Sequence, residues 1–502
     1  MIFGEHMVLQ RAKEIKIWGK SVRNDTVTVK LHDQEAQVIC ADGNWQVTLK
    51  PEEACEKTTL KVCSEKTSEV IEFNDVAIGE VWLAGGQSNM EFLMKYDVDL
   101  KDTLKLPDDD LLRFFRYPQV NFTGLLEIAD FPDDGFWRKW DKEENRIFFS
   151  AVGAYMAMGL RKKLGVPVGI IGCNWGGSPA SAWCEMEDIK NNKAMAPILK
   201  WHEDACNNTD WAKYIPASEV KPLPPTPEQK EFENRFMMGE DMTEFFKNFD
   251  PSKLPKLDYA PFDLGPRSVV RPAGLYETML KKIAPYAIKG AIWYQGEDDD
   301  ARGWYDFYDE SMKTLITGWR KLWGYEFPFY QIELAPFQGI GATGAKKYDL
   351  MRHQQHKAME ALNDVYDVCI LDAGEQFNIH PRRKKMVGER LERIVMKHTY
   401  GDESLTADCP EAVSAERKDD KIIITFRNSA EGLCIKGDLR EELNVLVDNE
   451  HSDYEYEVSN DQLVITGKFD KPAVVEYCEK NYCVARIYNS EGNPAYGFRY
   501  EV

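Results

Sequence analysis

The chain has 502 residues, 43% hydrophobic and 12% aromatic, which is enough to bury several cores in about two to four domains. A formal net charge of -21 and a pI near 5.0 exclude a nucleic-acid partner as the default reading and disfavour anionic ligands, because phosphate backbones are met by basic surfaces. Eleven cysteines, an odd number with no C-x-x-C pair, read as reduced thiols rather than a disulfide framework or zinc site.

In chain order, residues 1–75 alternate apolar and polar in short runs (Glu14-Ile-Lys-Ile-Trp, Thr26-Val-Thr-Val-Lys-Leu, Trp45-Gln-Val-Thr-Leu), the pattern of a small β-sandwich. No charged segment followed by an apolar one opens the chain, and no apolar run is long enough to span a membrane. The expectation is a cytoplasmic protein with no membrane partner. From 76 to 404, apolar strands alternate with amphipathic helices. The strands are Val81–Gly85, Val168–Asn174, Ile288–Gln295, Phe329–Ala335 and Val368–Asp372; helices are expected at Phe149–Lys163, Tyr305–Trp323 and Asp349–Leu362. Crossover helices between apolar strands predict an α/β fold with a five-stranded parallel sheet covered on both faces. Residues 186–268 interrupt that order with acidic, proline-containing sequence (Pro222-Leu-Pro-Pro-Thr-Pro) and one helical run near Glu228–Phe246, read as a surface excursion over the site. After 405, alternating runs return (Lys421-Ile-Ile-Ile-Thr-Phe, Gln462-Leu-Val-Ile-Thr, Ala473-Val-Val-Glu-Tyr) and predict a C-terminal β module over 405–502.

Ligands of open parallel sheets bind beyond the carboxyl ends of the strands, so the loops that follow the strands carry the chemistry. Val81-Trp-Leu-Ala-Gly-Gly-Gln-Ser88-Asn-Met-Glu91 reads as a strand that stops at a glycine pair and delivers a serine to a helix start. The plainer alternative is a capping box between Ser88 and Glu91. After the second strand, Ser178 and Pro179 read as N-cap and first helical residue, leaving the Gly176 and Gly177 amides to face a ligand. The third and last strands end in Trp293-Tyr-Gln-Gly-Glu297-Asp-Asp-Asp and Gln376-Phe-Asn-Ile-His380-Pro. A serine needs a base, and of eight histidines only His380 follows a core strand.

These loops, Gly-Gln-Ser88-Asn-Met, Asn174-Trp-Gly-Gly-Ser, Trp293-Tyr-Gln-Gly-Glu and Ile379-His380-Pro, resemble the ordered blocks of the SGNH hydrolases, specifically the sialate O-acetylesterase-like carbohydrate esterases. Phe3-Gly-Glu-His-Met-Val-Leu-Gln-Arg and Pro285-Tyr-Ala-Ile-Lys-Gly-Ala-Ile-Trp are similar too, so the likeness spans nearly the whole chain. The resemblance implies an SGNH, flavodoxin-like sheet and a carbohydrate O-acetylesterase. Ser88 is then the nucleophile and His380 the base, with an oxyanion hole from the Ser88 amide, Gly176 or Gly177 and the Gln295 side chain, and no cofactor or metal. Asn378 stands where relatives carry the aspartate that orients the histidine; Glu375, Asp372, a backbone carbonyl or a bare Ser–His dyad are the alternatives. Trp175, Trp304, Glu297 and Arg302 are the candidate substrate contacts, and Arg352, Arg382 and Arg383 further candidate cations for a sialate carboxylate. The expected partner is an acetylated mono- or oligosaccharide, with the negative charge favouring neutral xylo- or manno-oligosaccharides over O-acetyl sialate; self-association is left open. The competing functions are a catalytically inactive carbohydrate-binding protein and a glycoside hydrolase using Glu297 and its neighbouring carboxylates. A helical zinc pair is disfavoured because His353-x-x-His356 lacks the i, i+4 spacing.

Overall fold

The computed structural model describes residues 2–208, 227–240, 268–339 and 344–502. Its centre is a mixed α/β sheet whose strands run, from one edge, Val365–Val368, Phe329–Ile332, Gly290–Tyr294, Val70–Gly86, Val168–Asn174, Asp109–Arg116 and Trp137–Trp140. Six of these are parallel and the Trp137–Trp140 edge is antiparallel. Four of the five expected strands are present; in place of the fifth, Val368–Asp372, the strand runs Val365–Val368 and shares only Val368 with it. Asp109–Arg116 and Trp137–Trp140 extend the sheet beyond the expected five.

Along the central strand, side chains alternate between two cores. Val81 and Leu83 pack on the face shared with the N-terminal strands, while Trp82 and Ala84 pack against the Ala151–Leu164 and Lys384–Tyr400 helices, and all four are fully buried. This two-faced burial is the reason the strand reads as a continuous apolar run. The Ala151–Leu164 helix begins where Ser150 Oγ accepts from Gly153 N–H and ends at Gly165 in the left-handed region.

The N-terminal strands are not separated from this sheet. Val70–Gly86 is 17 residues long; its first half pairs antiparallel with Cys55–Ser64 and its second half enters the parallel sheet, so an unbroken strand crosses the expected boundary at 75. Val8–Gln10 also runs parallel to Ala77–Gly79. The C-terminal strands form their own antiparallel sheets around a third core that includes Ile422, Leu463, Val475 and Phe498. In the expected surface excursion, Met186–Asn191, Ala196–Asn207 and Pro227–Met237 are helical, while residues 209–226 and 241–267, with most of the proline-containing stretch and the end of the expected Glu228–Phe246 helix, lie outside the described residues. Among the described residues no helix is long and apolar enough to cross a membrane. All eleven cysteines are free thiols.

Candidate active site

Strand register sets the site. Gly86 pairs with Asn174 on one side and Tyr294 on the other, so the loops after these three strands start at one level beside the point where strand order reverses. Gly86 has φ of 130°, and a Cβ there would lie 2.3 Å from the Tyr294 carbonyl oxygen, so the chain turns out of the strand only with glycine.

Ser88 emerges from this turn half-buried, and its Oγ lies 2.7 Å from His380 Nε2. The capping-box reading therefore fails. Gln87 occupies the N-cap position without a side-chain cap, and Glu91 turns away, accepting from Gly176 N–H at 2.9 Å and pairing with Arg116 at 3.2 Å and Gln119 at 3.0 Å. His380 is 5% exposed, with the Phe236 ring edge-on at 5.2 Å. Burial, and secondly the Lys384 charge, push its pKa down to about 3, so the ring is neutral and able to accept a proton at neutral pH.

Asn378 does not reach that ring. Its Oδ1 accepts from the His380 backbone N–H at 3.0 Å and its Nδ2 donates to Glu375 Oε2 at 3.1 Å. Glu375 Oε1 takes the Arg382 N–H, and Asp372 is held bidentately by Arg390. Among the described residues nothing accepts from His380 Nδ1. Geometrically this is a Ser–His pair on a loop braced by Asn378 and Glu375. Asn378→Ala is accordingly expected to lower kcat by less than about tenfold, the equivalent of one lost hydrogen bond, and to leave the acidic limb of the kcat/KM profile in place. A loss above a hundredfold with a displaced limb would put Asn378 on the imidazole in the working enzyme.

The remaining expected site residues divide sharply. Gly177 is exposed with φ of 66°, and Trp175, half-buried, begins the loop whose Gly176 would place a Cβ 3.3 Å from that of Ser88. Gly176 N–H is committed to Glu91. Gln295 is fully buried and turned away from Ser88. Its Nε2 donates to Ser178 O and Asp299 Oδ2, and Tyr308 Oη donates to its Oε1, because the side chain ties the second and third loops together instead of facing an oxyanion. Ser178 caps no helix; its Oγ donates to Trp175 O and accepts from Trp183 Nε1. Glu297 is buried beneath the Ser88 turn and Trp304 is 6% exposed, which removes both from sugar contact. Arg302 is paired with Asp298 at 2.6 Å and stacked against Trp201 and Trp304. Arg352 is likewise engaged elsewhere, donating to the Cys478 and Lys480 carbonyls.

The Glu297–Asp300 run is thus no solvated acidic face. It forms the first turn of the Glu297–Arg302 helix, where carboxylates suit the helix dipole, and Asp299 and Asp300 accept the Ala180, Lys346 and Lys347 backbone N–H groups. Burial raises the Asp299 pKa to about 7.

Beneath Ser88 and His380 lies a charged network that sequence patterning does not single out. Lys384 Nζ, fully buried over the Phe92 and Tyr294 rings, donates to Asn89 Oδ1; Asn89 Nδ2 donates to Glu297 Oε1 at 2.5 Å and to Ile379 O at 2.9 Å. This connects the Ser88 turn to the residue before His380. In the sequence Lys384 is one of four consecutive cations after His380-Pro, indistinguishable from a solvated helix start.

The chain is similar to known carbohydrate esterases. A family model described as carbohydrate esterase, sialic acid-specific acetylesterase, matches residues 267–391. The sialate O-acetylesterase of Rattus norvegicus is 27% identical over 451 residues, covering 81% of this chain and 74% of its own, and that of Homo sapiens is 24% identical over 443 residues, covering 80% and 71%. The fold is that of a carbohydrate acetylesterase from Xanthomonas citri, with a TM-score of 0.75, 24% identity, and coverage of 99% of this chain and 98% of the other. Ser88 and His380 meet beyond the carboxyl end of the sheet, and along most of its length the chain is similar to the sialate O-acetylesterases.

Proposed function

We propose that the protein is a carbohydrate O-acetylesterase of the SGNH type that works through an acetyl-Ser88 intermediate. The observation that carries this reading is the 2.7 Å contact between Ser88 Oγ and His380 Nε2 at the convergence of the strand-end loops. His380 Nε2 takes the hydroxyl proton as Oγ attacks the acetyl carbonyl carbon, and the sugar oxygen leaves with that proton. Water, deprotonated by the same nitrogen, then attacks the acetyl-Ser88 carbonyl and releases acetate, and the proton returns to Ser88. The oxyanion sits on the Ser88 N–H, which has no intrahelical acceptor at the start of its turn, and on the exposed Gly177 N–H.

The substrates we favour are neutral acetylated oligosaccharides of the xylan or mannan type. Supporting this, the net charge is -21, and Arg302, Arg352 and Arg382 are each engaged by protein partners rather than turned to a substrate carboxylate. The names of the curated relatives favour O-acetyl sialate as the second reading. Acetate release from a panel of acetylated xylo-oligosaccharides, manno-oligosaccharides and O-acetyl sialates decides between them, and no release from any member would leave a binding protein. Because Ser88 and His380 supply the nucleophile and the base, hydrolysis is expected to persist within about twofold after EDTA treatment. Loss on chelation with thermal unfolding unchanged, restored by zinc, would point to a metallohydrolase.

A further inference from the structure

The Tyr348–Ala361 helix carries two residues unused by the chemistry above. His356 and Glu360, spaced i, i+4, share one helix face and meet Glu411 at the start of the Glu411–Lys418 strand, where the C-terminal sheets dock. One ligand atom from each lies within 4.8 Å of the other two.

We propose that His356, Glu360 and Glu411 form a divalent-cation site, suited to zinc, that joins the catalytic region to the C-terminal sheets. His356 Nδ1 lies 3.2 Å from Asp367 Oδ2, a carboxylate that is 2% exposed, so the ring is oriented as metal-binding imidazoles are, with Nε2 turned to Glu411, an ion pair that a bound cation would replace. Arg427 holds Glu411 Oε2, leaving Oε1 3.5 Å from His356 Nε2. Ligand atoms at about 2.0–2.2 Å from a tetrahedral zinc are about 3.4 Å apart, so this pair already has the needed separation. Glu360 is exposed and closes the remaining distance by side-chain rotation.

A cavity of about 230 Å³ lies beside these residues. Glu333, 3% exposed, lines it beside the buried Arg352 guanidinium, with an Oε2 that has no hydrogen-bond partner, and Asp367 Oδ1 behind His356 is likewise buried without one. Buried carboxylate oxygens left in this state are rare unless a cation or water answers them. One imidazole with two carboxylates matches the donor set of zinc and leaves a fourth position for water.

The test is calorimetric titration of zinc(II) into the full-length protein after chelator dialysis, together with cobalt(II) absorption. The expected result is one saturable equivalent per chain, a zinc-raised thermal midpoint, and cobalt bands without thiolate charge transfer. Glu360→Gln, an exposed change that leaves the fold intact, is expected to weaken binding at least tenfold and to abolish the thermal shift; His356→Gln should do the same. No saturable binding, or undiminished binding in Glu360→Gln, overturns the proposal. So does thiolate charge transfer, which would assign the metal to the buried Glu442, Cys478 and Cys483 cluster instead. The readout is binding, so its outcome is independent of the esterase assay.

Discussion

Ser88→Ala is expected to lower kcat for acetate release by about 10⁴-fold or more while leaving thermal unfolding close to wild type. The two halves have separate causes. Without Oγ no acyl-enzyme forms, and in serine hydrolases loss of the nucleophile removes nearly all the catalysis that the nucleophile and base provide together. Stability hardly changes because the hydroxyl makes one half-buried hydrogen bond, to His380, worth about 0.5–1.5 kcal/mol, and caps no helix. Residual activity within tenfold of wild type would remove Ser88 as nucleophile. A collapse of the unfolding transition would make the variant uninformative about chemistry, and Ser88→Cys, which keeps a nucleophilic atom in place, then takes over the test.

The second large effect is at His380. His380→Ala is expected to match Ser88→Ala in kcat, since neither member of the pair works without the other. The pH profile adds a sharper signature. With a pKa pushed down to about 3 by burial and then by Lys384, the imidazole stays unprotonated well into acid, so the acidic limb of kcat/KM is expected below about pH 5. Lys384 itself is lowered to about 7 by burial, so it is fully charged at the pH where His380 titrates. Lys384→Met, close in volume, removes that charge and should move the limb to higher pH; a stationary limb would show that Lys384 does not act on the imidazole. The same shift bears on stability. Between about pH 3 and the ordinary value of 6.5 the unfolded chain binds the proton and the folded chain does not. The contribution of His380 is therefore complete above 6.5 and is lost as pH falls towards about 3, and His380→Ala should flatten the acid dependence of unfolding across that window.

Local patterning carried much of the chain. The strand Val81–Gly85 is legible because it is buried on both faces and ends in glycine, and His380 because it follows a core strand. Asp109–Arg116 was not legible, since Arg113 sits in its middle; that side chain is buried only because Asp75 and the carbonyls of Met7 and Asp75 receive it from a distant part of the chain. The boundary expected at 75 is crossed by a strand for a related reason. Strand pairing on two successive halves of Val70–Gly86 joins segments whose alternation looks independent.

What the sequence by itself determined is the order of strands and loops and, through it, the pairing of Ser88 with His380, because strand ends and glycine turns are written in local residue order. Only the tertiary structure decided what the polar residues of those loops do. Gln295, Glu297 and Asp299 look like site groups or solvated acids in the sequence, yet each is buried and bound to loops more than a hundred residues away. The physical reason is that a buried polar group must find its partner wherever the fold supplies one, and that partner has no fixed sequence distance.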